Sequence, residues 1–283
     1  MILVDLNQVM ISNMMVQIGN HQNAQVDENM IRHMVLNSLR YNRQKFNAEF
    51  GEFVICCDDK NYWRRNSFPY YKASRRKART ESELDWNAIF NALNNVREEL
   101  KTFFPYKVIQ IESAEADDII GTIVHKEGTE LNTGEPILIL SGDKDYIQLH
   151  RYANVSQYDP TRKRFIKHSD PDRYLFEHII KGDAGDGVPN VLSPDNSFVV
   201  GERQKPVTKK RLEMFEDINN LDETLLRNWT RNKMLIDLSQ VPENIKEQIL
   251  DEYNEVNTKD RSQLFNYFIK NKLKFLMENI SDF

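Results

Sequence analysis

The chain has 283 residues, 40% of them hydrophobic and 29% charged, with a net charge of −5. That suits one large α/β domain, or a domain plus a smaller lobe, and the negative balance argues against nonspecific coating of nucleic acid. No apolar run approaches the roughly 18 residues of a membrane span, the opening Met1-Ile2-Leu3-Val4-Asp5 lacks a signal peptide's basic region, and the adjacent Cys56 and Cys57 do not suit a bridge, so a soluble protein of a reducing cytoplasm is expected.

In chain order, Ile2-Leu3-Val4 reads as a short buried strand ending on Asp5, with Asn7 two residues later. Residues 11–25 are rich in Met, Asn and Gln and read as a helix start or loop. From Asp27 a helix is expected, because Ile31, Met34, Val35 and Leu39 recur at helical spacing behind an acidic first turn. Phe53–Cys57 is a second buried strand and ends on Asp58-Asp59. Strand, helix, strand, with an acid at each strand end, makes a βαβ unit and predicts a parallel sheet.

Residues 60–79 then hold eight Lys/Arg (Lys60, Arg64, Arg65, Lys72, Arg75, Arg76, Lys77, Arg79), no acid, and the aromatics Tyr62, Trp63, Phe68, Tyr70 and Tyr71. A charge run alone is usually a solvated face. Mixed with aromatics, it is the setting for stacking bases and holding phosphates of a single strand. A long helix follows from about Asp85 to Phe104, stopped by Pro105. Val108–Ile111 is a third strand, and Glu115, Asp117 and Asp118 open the next helix.

Pro136–Leu140 is a fourth buried strand, closed by Ser141-Gly142-Asp143-Lys144-Asp145. Residues 151–168 read as a hairpin or loop, and Ser169-Asp170-Pro171 caps a helix to about Lys181. Gly182–Asn190 is an irregular turn carrying Asp183 and Asp186, whose backbone N–H groups could seat a phosphate or cation, with Lys205, Lys209, Lys210 and Arg211 downstream. Residues 192–207 read as loop, and the remainder as polar helices, including Leu221–Leu238 and Pro242–Val256.

Carboxylates thus come from five places: Asp5, Asp58, Glu115/Asp117/Asp118, Asp143/Asp145 and Asp183/Asp186. The first four lie at strand C-termini or the helix starts beyond them, the rim where open α/β sheets bind ligands. Singly, each has a plain reading as helix-dipole partner, cap or turn residue. Together they would repel strongly, and divalent cations remove that conflict. With only oxygen ligands in view and no His or Cys at useful spacing, Mg²⁺ or Mn²⁺ is expected over Zn²⁺.

These residues resemble the flap endonuclease/5′-nuclease family, over nearly the whole chain. The carriers are Leu3-Val4-Asp5, Ile55-Cys56-Cys57-Asp58 with Tyr62-Trp63-Arg64-Arg65, and Tyr70–Arg75. Further on they are Glu115-Ala116-Asp117-Asp118, Ser141–Asp145 and Lys181–Asp186. The resemblance implies a PIN-like nuclease core at 1–181, a mostly parallel sheet with helices on both faces, and a helical arch at about 60–85. It implies a helical C-terminal region at 182–283 with a helix–three-turn–helix duplex-binding element.

By the same resemblance Asp5, Asp58, Glu115, Asp117 and Asp143 would hold one Mg²⁺, and Asp145, Asp183 and Asp186 a second, with Asp118 behind them. Lys72 and Arg75, with Glu115 and Asp117, would form the catalytic group at the scissile phosphate. Arg64, Arg65, Lys72, Arg75, Arg76, Lys209 and Lys210 would contact nucleic acid. The implied activity is removal of RNA primers and short 5′ flaps from RNA:DNA or DNA duplex, by a monomer in the cytoplasm of a phage-infected bacterium. Its C-terminal tail would either dock a phage single-stranded-DNA-binding protein or simply pack. Cellular members follow the acidic loop with Pro-Gly-x-x-Gly-Ile-Gly; here Val188-Pro189-Asn190 leads into a glycine-poor stretch, so their potassium-bound hairpin is not implied. Two other readings compete: a haloacid-dehalogenase-like phosphatase using Asp143 and Asp145, and a junction-binding protein without catalysis.

Overall fold

The computed structural model describes residues 1–18, 27–82, 84–129 and 134–283. Six strands form one sheet: β1 (Ile2–Asp5), β2 (Phe53–Cys56), β3 (Lys107–Ile109), β4 (Ile137–Leu140), β5 (Val155–Asp159) and β6 (Arg164–Ile166). Their order is β3-β2-β1-β4-β5-β6; β1 to β5 run parallel, and β6 pairs antiparallel with β5. The expected third strand shifts toward the chain start, because Lys107, Val108 and Ile109 pair with Val54, Ile55 and Cys56, and Ile111 lies beyond the pairing.

β1, β2 and β4 are buried on both faces, and their side chains divide by parity between two cores. Ile2, Val4, Phe53, Ile55, Leu138 and Leu140 meet the helices Glu28–Phe50 and Trp86–Phe103. Leu3, Val54, Cys56, Ile137 and Ile139 meet the helices Ala116–Glu127 and Glu243–Asn254. Each buried aliphatic side chain contributes roughly 1.5–3 kcal/mol of transfer free energy, which locks the alternation: a one-residue slip would swap both faces.

The caps follow the sequence closely. Asp85 accepts from the N–H groups of Asn87 and Ala88, and Asp170 from that of Arg173 ahead of Pro171–Lys181. Part of 11–25 is helix, Leu6–Ile18 starting directly after β1, whereas residues 19–26 lie outside those described. Two short elements were not read from sequence: the 3₁₀ helix Lys144–Arg151, which carries Asp145, and the helix Ser197–Val200 inside the expected loop. The basic segment forms the helices Trp63–Ser67 and Ala73–Thr80. C-terminal helices Leu264–Lys270 and Lys274–Glu278 fold back so that Leu264, Phe268, Leu276 and Phe283 join the core against Phe104. Among the described residues no helix is long and apolar enough to cross a membrane.

Candidate active site

Sheet register explains the site. Asp5 pairs with Cys56, and Val4 with Leu140, so Asp58 and Asp143 leave the sheet just beyond Asp5 on the same rim. The strand order reverses between β1 and β4, the position at which parallel sheets open a crevice. Glu115 reaches the rim from the other side as N-cap of Ala116–Glu127, with Asp117 in that helix's first turn.

A cavity of about 610 Å³ opens there, lined by Asp5, Asp58, Glu115, Asp117, Asp143 and Asp186, with Lys72 and Arg75 at one wall. A second, of about 410 Å³, is lined by Asp143, Asp145, Asp183 and His178. Asp143 belongs to both. Asp186, expected beside Asp145 and Asp183, lines the larger cavity and also shares a third, narrow cleft with those two and Asp117.

Hydrogen bonds hold these carboxylates in place. Asp5 accepts from the Gln8 N–H (3.1 Å), Ser141 Oγ (3.1 Å) and Tyr146 OH (3.3 Å). Asp58 accepts from Asn7 Nδ2 (2.6 Å) and the Ala116 N–H (2.7 Å). Asp143 accepts from the Asp145 N–H (3.0 Å), and Asp183 from the Asp186 N–H (3.0 Å). Burial first, and then the neighbouring Asp58, pushes Asp5 up to about 7. Burial likewise raises Asp58, Asp117, Asp143 and Asp145, and repulsion from other acids of the site adds to it in each.

Glu115 differs: burial works against its charge, but Lys72 and Arg64 overcome that and hold it below the usual range. Its carboxylate accepts from Arg64 Nη1 (3.0 Å) and from Lys72 Nζ, with the Tyr71 hydroxyl 2.9 Å away. Lys72 also lies 3.4 Å from Asp186, to which Arg75 bonds at 2.5 Å. The donor set fits divalent cations, because buried acids this crowded lack enough cationic side chains to balance them.

Several expectations are corrected. Arg64 does not face nucleic acid: its side chain is 2% exposed, spent on Glu115, Asp118 and the Leu235 carbonyl. Trp63, Phe68 and Tyr71 are not a stacking platform, since all three are buried and Phe68 and Tyr71 pack with Leu175, Ile179 and Leu235; Tyr62 alone of the segment's aromatics lines the larger cavity. The 182–190 loop has little N–H to offer a phosphate, because Asp186, Gly187 and Val188 donate within the loop. Arg65 and Arg75 are exposed, and the Arg76 side chain falls outside those described. Lys209 and Lys210 are exposed on the five-residue helix Lys209–Glu213 and line neither cavity.

Asp118, expected behind the ligands, is fully buried, accepting from Trp63 Nε1 and the Glu115 N–H. Arg64, expected on nucleic acid because its run is basic, faces inward beside the buried Trp63 and pairs with Glu115. One site residue, His178, is not announced by the sequence. His178 was passed over because it lies 33 residues beyond Asp145, and only the fold brings them together.

Residues 1–177 match the family described as 5′-3′ exonuclease, N-terminal resolvase-like domain, and residues 170–283 that described as T4 RNase H, C terminal. The chain is 34% identical to ribonuclease H of Enterobacteria phage T4, over 99% of its own length and 95% of that protein's. It is 27% identical to a 5′-3′ exonuclease of Buchnera aphidicola subsp. Schizaphis graminum, over 49% of this chain and 47% of that one. A bacteriophage T5 D15 flap endonuclease, solved with DNA and metal ions, has the same fold at a TM-score of 0.62 and 17% identity, covering 90% of this chain and 99% of that one. T5 5′-exonuclease with bound zinc aligns at a TM-score of 0.60 and 18% identity, covering 89% and 98%. With a rim of acids on that fold and whole-length kinship to a phage ribonuclease H, the chain belongs to the 5′-3′ exonuclease family and is a 5′ nuclease, a phosphodiester hydrolase.

Proposed function

We propose that this nuclease is Mg²⁺-dependent and structure-specific, removing RNA primers and short 5′ flaps during phage DNA replication. The observation carrying this reading is that four parallel strands deliver buried and half-buried carboxylates to one rim, in two cavities that share Asp143. Asp5, Asp58, Glu115, Asp117 and Asp143 would hold one cation, and Asp145, Asp183 and Asp186 the other. When bound, such a pair activates a water and stabilises the leaving oxygen of an in-line displacement.

The chain's own residues do the rest. Asn7 and the Ala116 N–H fix the Asp58 carboxylate, and Ser141 and Tyr146 fix Asp5. Lys72 and Arg75 pair with Glu115 and Asp186, close enough to turn onto a phosphate that enters the larger cavity. Exposed Arg65 and Arg79 extend the basic wall along the arch at 60–85, beside which the 5′ strand would pass. Residues 182–283 would hold the duplex, with Lys209 and Lys210 on its phosphates. A partner such as a single-stranded-DNA-binding protein would have to use the exposed Phe265, Ile269 and Phe275, since the tail's other apolar residues are in the core.

Asp117→Asn and Asp145→Asn should each lower cleavage of a 5′ flap or an RNA:DNA duplex by on the order of 10²–10³ or more. DNA binding should persist in both. Full Mg²⁺-dependent activity in either variant would sink the assignment of that residue.

A further inference from the structure

Helix Pro171–Lys181 ends beside the smaller cavity and delivers a side chain of different chemistry there. Leu175, Ile179 and Ile180 are buried on its inner face, which fixes the helix rotation and turns His178 toward the acids. The Tyr174 ring stands edge-on to the imidazole, with centroids 5.6 Å apart, and restricts its tilt. His178 Nδ1 lies 3.6 Å from Asp145 Oδ1, and Nε2 lies 3.4 Å from Asp183 Oδ2. Both gaps exceed a normal N–H···O bond of about 2.9 Å. Nδ1 is buried with no hydrogen-bond partner among the described residues.

Separations of this size suit two donors on one cation. With metal–ligand bonds of about 2.1 Å, neighbouring donors stand roughly 3.0–3.5 Å apart in octahedral or tetrahedral coordination. One ligand atom from each of Asp145, His178 and Asp183 lies within 4.8 Å of the others. We propose that His178 supplies a nitrogen ligand in the smaller cavity, so that this position takes borderline cations of the Zn²⁺ or Co²⁺ type more readily, relative to Mg²⁺, than the all-oxygen larger cavity does. Resting on the reading of these acids as cation ligands, this adds the chemistry that selects the ion. Imidazole suits such cations, whereas Mg²⁺ takes carboxylate and water oxygens. One ring nitrogen takes the cation, and the other turns its N–H to the carboxylate it faces, which fixes the ring.

The test is an anomalous difference map of full-chain crystals soaked in Zn²⁺, with competition titrations of Zn²⁺ against Mg²⁺ on the wild type and His178→Asn. A peak about 2.0–2.1 Å from a His178 nitrogen, in contact with Asp145 or Asp183, supports the proposal. So does a fall of at least about tenfold in Zn²⁺ preference in the folded variant. A peak among the acids with His178 out of bonding reach, or an unchanged preference, overturns the role of His178 and leaves the cation reading intact. No peak in either cavity overturns both. If His178→Asn does not fold, the wild-type map alone decides.

Discussion

The residue on which most of the site's physics converges is Asp5. Buried at the sheet's switch point with Asp58 beside it, its carboxyl is pushed up to about 7. A group held above its unfolded value of about 3.9 contributes stability that is fully present below that value and lost as pH rises through its folded one. Cation-free protein therefore bears a penalty at pH 8 that is absent at pH 5. Asp5→Asn should raise the cation-free thermal midpoint at pH 8 by a few degrees and change it little at pH 5, read by circular dichroism. A variant less stable than wild type at pH 8 would contradict this origin of the shift. With Mg²⁺ present the sign should reverse, since the substitution removes a ligand: function has kept a destabilising charge.

Asp5, Asp58, Glu115, Asp117 and Asp143 were legible in the sequence because each follows an unbroken apolar run, or opens the helix after one. His178 and Arg64 were not. Their roles depend on which way a helix or turn faces, and for Arg64 a basic run points to the opposite answer from the one burial enforces.

At the level of elements, the junction after Pro171–Lys181 sets the smaller cavity. Gly182 has φ 68° and ψ −177°, a conformation reserved almost wholly for glycine. A Cβ there would stand 2.4 Å from the Val188 carbonyl oxygen and 2.6 Å from the Pro189 carbonyl carbon. The Asp183–Val188 bridge closes the loop, and the Lys72 N–H donates to the Asp186 carbonyl (2.7 Å), tying the loop to the basic segment. Gly182→Ala should cost at least about 1–3 kcal/mol in chemical denaturation and weaken cation binding by displacing Asp183. Unchanged stability and affinity would show the turn to be dispensable.

Helix ends were readable here because Asp85, Asp170-Pro171 and Gly182 are strong punctuation. Lys144–Arg151 was not, since a 3₁₀ helix has no apolar period to announce it and is held by tertiary bonds such as that from its Gln148 side chain to the Ile236 carbonyl. The turns of the basic segment were hidden for a similar reason: their aromatics serve packing against residues more than 100 positions away.

Across the whole molecule, the expected order of parallel strands and helices appears, and so does the hairpin of β5 and β6. The return of the C-terminal helices to the first core did not show in the sequence, because their amphipathic pattern does not say which surface they cover. Phe283 is fully buried against Phe104 and Phe268, with ring centroids at 5.6 and 5.2 Å. Phe283→Ala should therefore cost about 3–5 kcal/mol, measured by denaturant unfolding. A loss below about 1 kcal/mol would mean that the tail is not part of the core in solution.

The central claim is that a divalent cation, held by the rim of buried acids, lets this chain cut nucleic acid at a 5′ end. Product sizes from a 5′-labelled flap duplex and an RNA-primed duplex, with Mg²⁺ and with a chelator, test it most directly. Short 5′ products or junction-length fragments should form from both substrates in Mg²⁺ and vanish with the chelator. Cleavage that survives the chelator, or intact substrates in both Mg²⁺ and Mn²⁺ while a small phosphate ester is hydrolysed, would contradict it.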